Sequence, residues 1–390
     1  MPKEKTEKNG KKTENDNLVE SLAESINKAS SKDLGYDVIN FLDESDYYAK
    51  INDWVSTGVD TLDIAMSNRP HAGCPVGRIV EFNGLESSGK SLVCAHILAE
   101  TQKKGGIAVF IDTENAVSED FMQAIGVELT GPNKLVYIQL ETIEQIFKTI
   151  LNIIETVRKS TKHKDRIITI VVDSVAGATT ENELSGGFDK QGYNTHKAIL
   201  LSSYMRQLTN LFGREKILIV FTNQLREKLG VMFGEKYTTS GGKAIPFHAS
   251  LRIRLAQVGK IKKEIDGVTK VVGMEIEAKV IKSKLGTPHK STKFKMYFDS
   301  GIDNVESFLG ELKRYKIVDG NEKSGYKFKD ETDNTYSFTL KELREMFLDK
   351  DNIIKNKLYD KLVSKVVEKY NFQKTGEEDA GIVVVEDEED

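Results

Sequence analysis

Between residues 78 and 300 short apolar runs alternate with amphipathic segments. Strand-length runs occur at RIVEFN (78–83), IAVFID (107–112), LVYIQL (135–140), IITIVVD (167–173) and ILIVFTN (217–223). Helix-length segments lie near 91–104, 142–159 and 195–213. Near-continuous apolar strands joined by helices predict an α/β fold with a mostly parallel, doubly wound sheet covered on both faces. After residue 250 the runs become longer and alternating: SLRIRLAQV, VVGMEIEAKVIKS and KFKMYFD. The charged turn KKEIDGVTK separates the first two, so these strands are expected to be antiparallel. Residues 304–372 read as a small Lys-rich module with helical stretches near 304–315 and 340–371. At the other end, Leu18, Val19, Leu22 and Ile26 share one helical face over 18–29. Such a helix needs something to pack on, either its own domain or a neighbouring subunit. Residues 1–17 are almost all Lys, Glu, Asn, Thr and Gly, and are expected to be disordered.

Composition narrows the class. At ~100–200 residues per domain, 390 residues imply two or three domains. No run of 18 apolar residues occurs, and the N-terminus MPKEKTEKNGKK has no apolar core of a signal peptide, so neither membrane nor secretion is expected. Cys74 and Cys94, the only cysteines, make neither a disulfide framework nor a zinc site. A cytoplasmic, reducing location is the expectation. The net charge of −4 is uneven: Glu377–Asp390 holds eight acidic residues and no basic ones, and removing them leaves +4 on the rest. Either the body binds a polyanion and the tail competes for the same surface, or the tail only solubilises.

The strongest chemical signal is GLESSGKS, Gly84 to Ser91, directly after one strand and opening a helix. It fits G-x-x-x-x-G-K-[ST], in which backbone N–H groups wrap a phosphate chain. Gly84, Leu85, Glu86, Ser87, Ser88 and Gly89 would form the cradle. Lys90 would reach the outer phosphates and the Ser91 hydroxyl would ligate Mg²⁺, with the helix N-terminus adding its positive end. Asp173 ends an apolar strand where a second metal-site group is expected. Glu114 follows IAVFID and would emerge at the same sheet edge, where a carboxylate can activate water. On position alone Asp112 competes for that role. Asn223-Gln224 closes a further strand there, and an amide so placed can sense a γ-phosphate. The segment 225–243 carries Arg226, Lys228, Lys236 and Lys243 with Met232 and Phe233. It suits single-stranded DNA, where cations meet phosphates and an apolar side chain enters the base stack. A lid over the nucleotide fits it equally.

These segments, GLESSGKS, FIDTENA (110–116), VVDSVAGAT (171–179), NQLREKLGVMFG (223–234) and TTSGGKAIPFHASLRIRL (238–255), together with STGVDTLDIAM (56–66), resemble the RecA recombinases of bacteria and their phages. The resemblance runs from about 54 to 315 and extends loosely to the end. NQLREKLGVMFG is its most discriminating part, since a phosphate loop is shared by very many NTPases.

The resemblance implies a RecA-type ATPase core at 54–301, preceded by a helix and linker for subunit polymerisation at 18–53. A C-terminal α+β DNA-gating domain at 302–376 and an acidic disordered tail at 377–390 would follow. It implies Glu114 as the water-activating residue and Gln224 as the γ-phosphate sensor. Phe233, Gly241 and Gly242 would belong to the second DNA loop, and Arg206 would also contact DNA; Arg226, from the cations of 225–243, is the further DNA-binding candidate. Lys282 and Lys284 would reach the ATP of the adjacent subunit, Phe247 would sit at the subunit interface, and Phe121 would stack on the adenine. Ser118 and Pro246 depart from the family pattern at the base and at the interface. The first DNA loop, LSGGFDKQGYNT (184–195), matches poorly residue for residue.

The implied function is an ATP- and Mg²⁺-dependent recombinase. It would form a homo-oligomeric helical filament on single-stranded DNA and exchange it with duplex DNA, with a single-strand-binding protein or loader among its partners. A hexameric RecA-like helicase and a non-hydrolysing recombination mediator are the alternatives. A short N-terminal region speaks against the first. The full set Lys90, Ser91, Glu114, Asp173 and Gln224 speaks against the second.

Overall fold

A computed structural model describes residues 10–35, 38–39, 50–115, 117–186, 193–227, 237–239 and 242–370. The chain divides into Met1–Lys50 and Ile51–Asp390. In the first unit, helix α1 (Gly10–Leu34) carries Leu18, Val19, Leu22 and Ile26 exposed along its length. Its return is held by Asn27, whose Oδ1 accepts from the amides of Val38 and Ile39 at 3.0 and 2.7 Å. The helix starts at Gly10, so 10–17 are helical, not disordered as the polar composition predicts.

In the second unit, β1 (Trp54–Val55), α2 (Asp60–Ser67) and β2 (Cys74–Pro75) precede the sheet. Then come β3 (Ile79–Gly84), α3 (Lys90–Lys103), β4 (Ile107–Asp112), α4 (Glu119–Ile125), β5 (Val136–Gln139) and α5 (Ile143–Lys159). Next are β6 (Ile168–Asp173), α6 (Glu181–Gly186), α7 (Tyr193–Arg214), β7 (Ile217–Glu227), β8 (Tyr237–Thr239) and α8 (Ala244–His248). Strands β9 (Leu251–Ile265), β10 (Val268–Ser283), β11 (Ser291–Tyr297) and β12 (Gly301–Asp303) complete the large sheet. Its order is β12-β11-β10-β9-β3-β7-β6-β4-β5, with β8 on β7. From β5 to β9 neighbours run parallel, and from β9 to β12 antiparallel, as the change of pattern after 250 predicts. Apolar residues fill both faces. Val80 and Phe82 join α3 in one core, while Ile79, Ile219 and Phe221 join α5 and α7 in the other. The capping box Thr142/Gln145 sets the start of α5.

Helix α9 (Asn304–Arg314), the small sheet β13 (Val318–Asn321), β14 (Gly325–Lys329) and β15 (Thr335–Phe338), and helices α10 (Leu340–Leu348) and α11 (Ile353–Tyr370) make the C-terminal module. The single helical stretch expected at 340–371 is broken at 349–352, where Asn352 Oδ1 accepts from the amide of Lys355 and restarts the chain as a helix. The module shares its apolar core with Ile64 of α2. Beside that core lies a buried carboxylate, Asp60. It accepts from Tyr359 Oη of α11 and from Asn304 Nδ2 at 2.7 Å, and pairs with His71 Nδ1 at 2.6 Å.

The hydrogen bond to Asp60 holds the His71 pKa above its ordinary value, against the opposing effect of burial. A histidine whose folded pKa is raised contributes stability that is fully present below its unfolded value and lost as pH rises through the folded one. Urea midpoints should therefore fall as pH rises from about 6 upward. His71→Gln should flatten that slope, and an unchanged slope would remove His71 from the account. No described helix is long and apolar enough to cross a membrane.

Candidate nucleotide site and nucleic-acid interface

The loop after β3 has little freedom to be anything else. A Cβ on Gly84 would lie 2.4 Å from both Leu255 O and Ser88 Oγ, so only glycine lets the strand turn here. Ser87 and Gly89 adopt φ of 57° and 87°, the left-handed region in which glycine is unstrained. Gly89 is the N-cap of α3 and supplies no capping side chain, which leaves the first amides of the helix to an anion. The Lys90 ammonium bends back over the loop, donating to Leu85 O at 2.7 Å and Gly84 O at 3.2 Å. Burial lowers its pKa, and Asp173 and Glu114 oppose that shift.

Strand register brings the other groups to the same edge. Gln224 lies opposite Gly84, and Asp173 opposite Asp112. Asp173 is buried, accepts from Thr222 Oγ1 at 2.5 Å and is hydrogen-bonded by Ser91. Burial raises its pKa and the two hydroxyls oppose the rise. The ambiguity between the two carboxylates after β4 has a structural answer. Asp112 is buried and fully engaged: its Oδ1 accepts from the amides of Glu114 and Asn115 at 2.9 Å, and its Oδ2 from Tyr137 Oη at 2.8 Å. Glu114 is exposed at the edge. Its Oε1 accepts from Ser174 Oγ and from Gln224 Nε2 at 3.4 Å. The carboxylate and the amide that the sequence singles out therefore touch.

No group of three or more His, Cys, Asp or Glu among the described residues could hold a metal by itself. One hydroxyl and one carboxylate in contact, Ser91 and Asp173, fit instead a hard ion that keeps waters and takes its remaining oxygens from a phosphate chain, as Mg²⁺ does.

Beside the loop opens a cavity of about 310 Å³, lined by Ser87–Leu92 on one side and by Phe121, Met274, Met296, Tyr297 and Phe298 on the other. Phe121 was expected; Met274, Met296 and Phe298 were not. The signal for Met296 and Phe298 was the alternation in KFKMYFD, which puts Phe294, Met296 and Phe298 on one face; Met274 lies opposite Met296 on the neighbouring strand. Ser118 caps α4, its Oγ accepting from the amide of Phe121 at 3.5 Å, so the departing residue orients the helix that carries Phe121.

The basic segment is more ordered at its base than its lack of periodicity predicts. Strand β7 continues past Gln224 to Glu227 and pairs with β8, Leu225 opposite Thr239 and Glu227 opposite Tyr237. Arg226 is exposed. Gly242, at φ 74°, rests against Ala198 of α7, to whose Cβ an added Cβ would come within 3.0 Å. Phe233 and Gly241 lie outside the described residues, as do 187–192 of the first loop and the tail 377–390. Arg206 on α7 donates to Ser202 Oγ at 2.8 Å. It lowers the pKa of His248, as Lys284 and Lys282 do after burial. Phe247, 72 % exposed, meets the His248 ring edge-on at 5.1 Å. Lys282, expected to reach a neighbour's nucleotide, donates within its own chain to Pro246 O at 2.7 Å and Phe247 O at 2.8 Å. Burial, then Lys284 and Arg252, push its pKa down to about 8. The structure thus gathers Phe247, Arg206, Lys282 and Lys284 into one cationic patch, and Lys90, Ser91, Asp173, Glu114 and Gln224 into the sheet-edge site.

The family model described as RecA N-terminal domain matches residues 20–303. Protein RecA of Chloroherpeton thalassium is 34 % identical over 351 residues, covering 90 % of this chain and 88 % of the relative. Protein RecA of Ruegeria pomeroyi is 38 % identical over 264 residues, covering 68 % and 71 %. That of Clostridium acetobutylicum is 38 % identical over 273 residues, covering 70 % and 72 %. With a phosphate loop, a buried strand-end aspartate and a touching Glu–Gln pair on one edge of a sheet that the family model spans, this chain belongs to the RecA family.

Proposed function

We infer that this chain is an ATP-dependent DNA recombinase, which assembles on single-stranded DNA, pairs it with a homologous duplex and hydrolyses ATP in a DNA-dependent manner. The observation that carries the reading is the contact of Glu114 with Gln224 of β7. That strand runs on through Arg226 into the basic segment, so one strand joins the nucleotide edge to the DNA-binding candidates.

In this reading the amides of Gly84–Ser91 and the Lys90 ammonium hold the triphosphate, which displaces Lys90 from the carbonyls of Leu85 and Gly84. Ser91 and Asp173 would hold Mg²⁺, which when bound neutralises developing phosphate charge. Glu114 takes the proton of the attacking water. Gln224 exchanges its bond to Glu114 for one to the γ-phosphate, and the paired β7/β8 base carries that change to Arg226, Phe233, Gly241 and Gly242. Such a loop, biased by a γ-phosphate, is a two-state switch. Phe121 and Phe298 clasp the base. Lys282 and Lys284 complete the site of an adjacent subunit, with Phe247 at the junction. The helix and linker at 18–53 serve polymerisation, 302–376 gates DNA, and a single-strand-binding protein or loader delivers the protein to DNA in the cytoplasm. The test is strand exchange between circular single-stranded DNA and a homologous linear duplex. Joint molecules that require ATP support the reading, and their absence with DNA-stimulated ATPase intact would favour a helicase.

The tail adds a regulatory element. Eight carboxylates within Glu377–Asp390, covalently joined to a body of +4, act at a high effective concentration. They compete with phosphates for the body's cations. Ending the chain after Thr375 should raise duplex-DNA affinity, most at low salt, because screening weakens both the competition and the contacts. Equal duplex binding at low salt by both forms would leave the tail a solubility device.

A further inference from the structure

Glu114 lies just past the end of β4 and is exposed, so packing alone does not fix its carboxylate. Ser174, the residue after β6, does. It is 1 % exposed, and its Oγ donates to Glu114 Oε1. A hydroxyl has one proton to give. The Gly177 N–H donates to Ser174 Oγ at 3.1 Å, which occupies a lone pair and leaves that proton for the carboxylate.

Ser174 is itself held by Thr113, the residue before Glu114. Thr113 Oγ1 donates to Ser174 O at 2.7 Å and accepts from the Ser174 amide at 3.0 Å. One side chain thus binds both main-chain polar groups of Ser174, while the Thr113 amide donates to Asp173 O at 2.9 Å. Valine has the shape of threonine and could make neither side-chain bond. Gly177 provides the room. A Cβ added there would lie 2.8 Å from Thr113 Oγ1 and 3.0 Å from Glu114 Cγ. Its φ is not in the left-handed region, so the close approach, and not the backbone conformation, calls for glycine.

We propose that Ser174 and Thr113 are positioning residues for Glu114, Ser174 through its hydroxyl and Thr113 through Ser174, with Gly177 as the space they require. The proposal rests on the recombinase reading above, in which Glu114 takes the proton of the attacking water. In that reading Gln224, whose Nε2 lies 3.4 Å from Glu114 Oε1, leaves for the γ-phosphate. Ser174 then keeps the carboxylate in place at the step where the amide no longer does. Both bonds fall on Oε1, which leaves Oε2 to take the proton.

The test measures kcat and KM for ATP, with single-stranded DNA present, in full-length wild type, Thr113→Val, Thr113→Ser and Ser174→Ala. Ser174→Ala spares the turn, because the Gly177 N–H keeps Ser174 O as an acceptor at 3.2 Å. Misplacing a catalytic group by about 1 Å costs up to ~100-fold. Thr113→Val and Ser174→Ala should each lower kcat ~10- to ~100-fold with KM for ATP little changed. Thr113→Ser should keep most of the wild-type rate. Adding Thr113→Val to Ser174→Ala should cost little more, since Thr113 acts through the Ser174 hydroxyl. In a Glu114→Gln background neither substitution should lower the residual rate further, whereas a merely structural role would add its loss there too. Wild-type kcat in Thr113→Val and Ser174→Ala overturns the proposal alone, as does a loss of equal size in the Glu114→Gln background or one that falls on KM only. Glu114→Gln turning over ATP at the wild-type rate overturns the base assignment and this inference with it. Should Thr113→Val fail to fold, Gly177→Ala, which presses a methyl group onto Thr113 Oγ1 and Glu114 Cγ, takes its place, and wild-type kcat there contradicts the proposal.

Discussion

Glu114→Gln should bind ATP and single-stranded DNA as the parent does and turn over ATP ~10²–10⁴-fold more slowly, the usual contribution of a positioned general base. The amide keeps the size of the carboxylate and can still accept from Ser174 and Gln224, which contact Oε1, so both neighbours stay in place. What it loses is the ability to take a proton. The slow variant should consequently accumulate in its ATP-bound, high-affinity form and release DNA more slowly than wild type. Asp112→Asn serves as the contrast. Its carboxylate is committed to two amides and to Tyr137, so its loss should lower stability rather than act on the chemical step alone. Single-turnover hydrolysis with pre-bound ATP separates the two, and wild-type rates in Glu114→Gln would displace Glu114 from the role of base.

The second large effect concerns the junction between subunits. Lys282→Ala/Lys284→Ala and Lys90→Ala should each lose most ATPase activity, for defects on opposite sides of a shared site. In a head-to-tail assembly, an equimolar random mixture leaves roughly a quarter of junctions with a sound loop facing sound lysines. Mixing two inactive proteins should therefore recover activity to about that fraction of wild type. Lys282 is bound to the backbone of Phe247 in the free chain, so it must leave Phe247 to meet a neighbour's phosphate. Assembly should on this account perturb Phe247, and co-assembling mutants that show no rescue at any ratio would contradict shared sites.

The parallel half of the fold was legible because its strands are short, nearly unbroken apolar runs: the reading at 107–112 coincides with β4. Strand β7 was read four residues short. Beyond Asn223 its pairing comes from contact with β8 across the sequence, which local periodicity does not carry. The three-stranded sheet at 318–338 escaped because its inward positions, Val318, Tyr326, Phe328 and Phe338, are spread over three segments of only four or five residues. At the site, residue type and strand-end position found Lys90, Ser91, Asp173, Glu114 and Gln224. Position could not separate Glu114 from Asp112, since the difference lies in what Tyr137 and two backbone amides bind.

Electron microscopy of the full-length protein with single-stranded DNA and a slowly hydrolysed ATP analogue tests the central claim most directly. The account predicts continuous helical filaments that form when both ligands are present and fail with ADP. Closed rings, or discrete complexes that do not grow along the DNA, would contradict it.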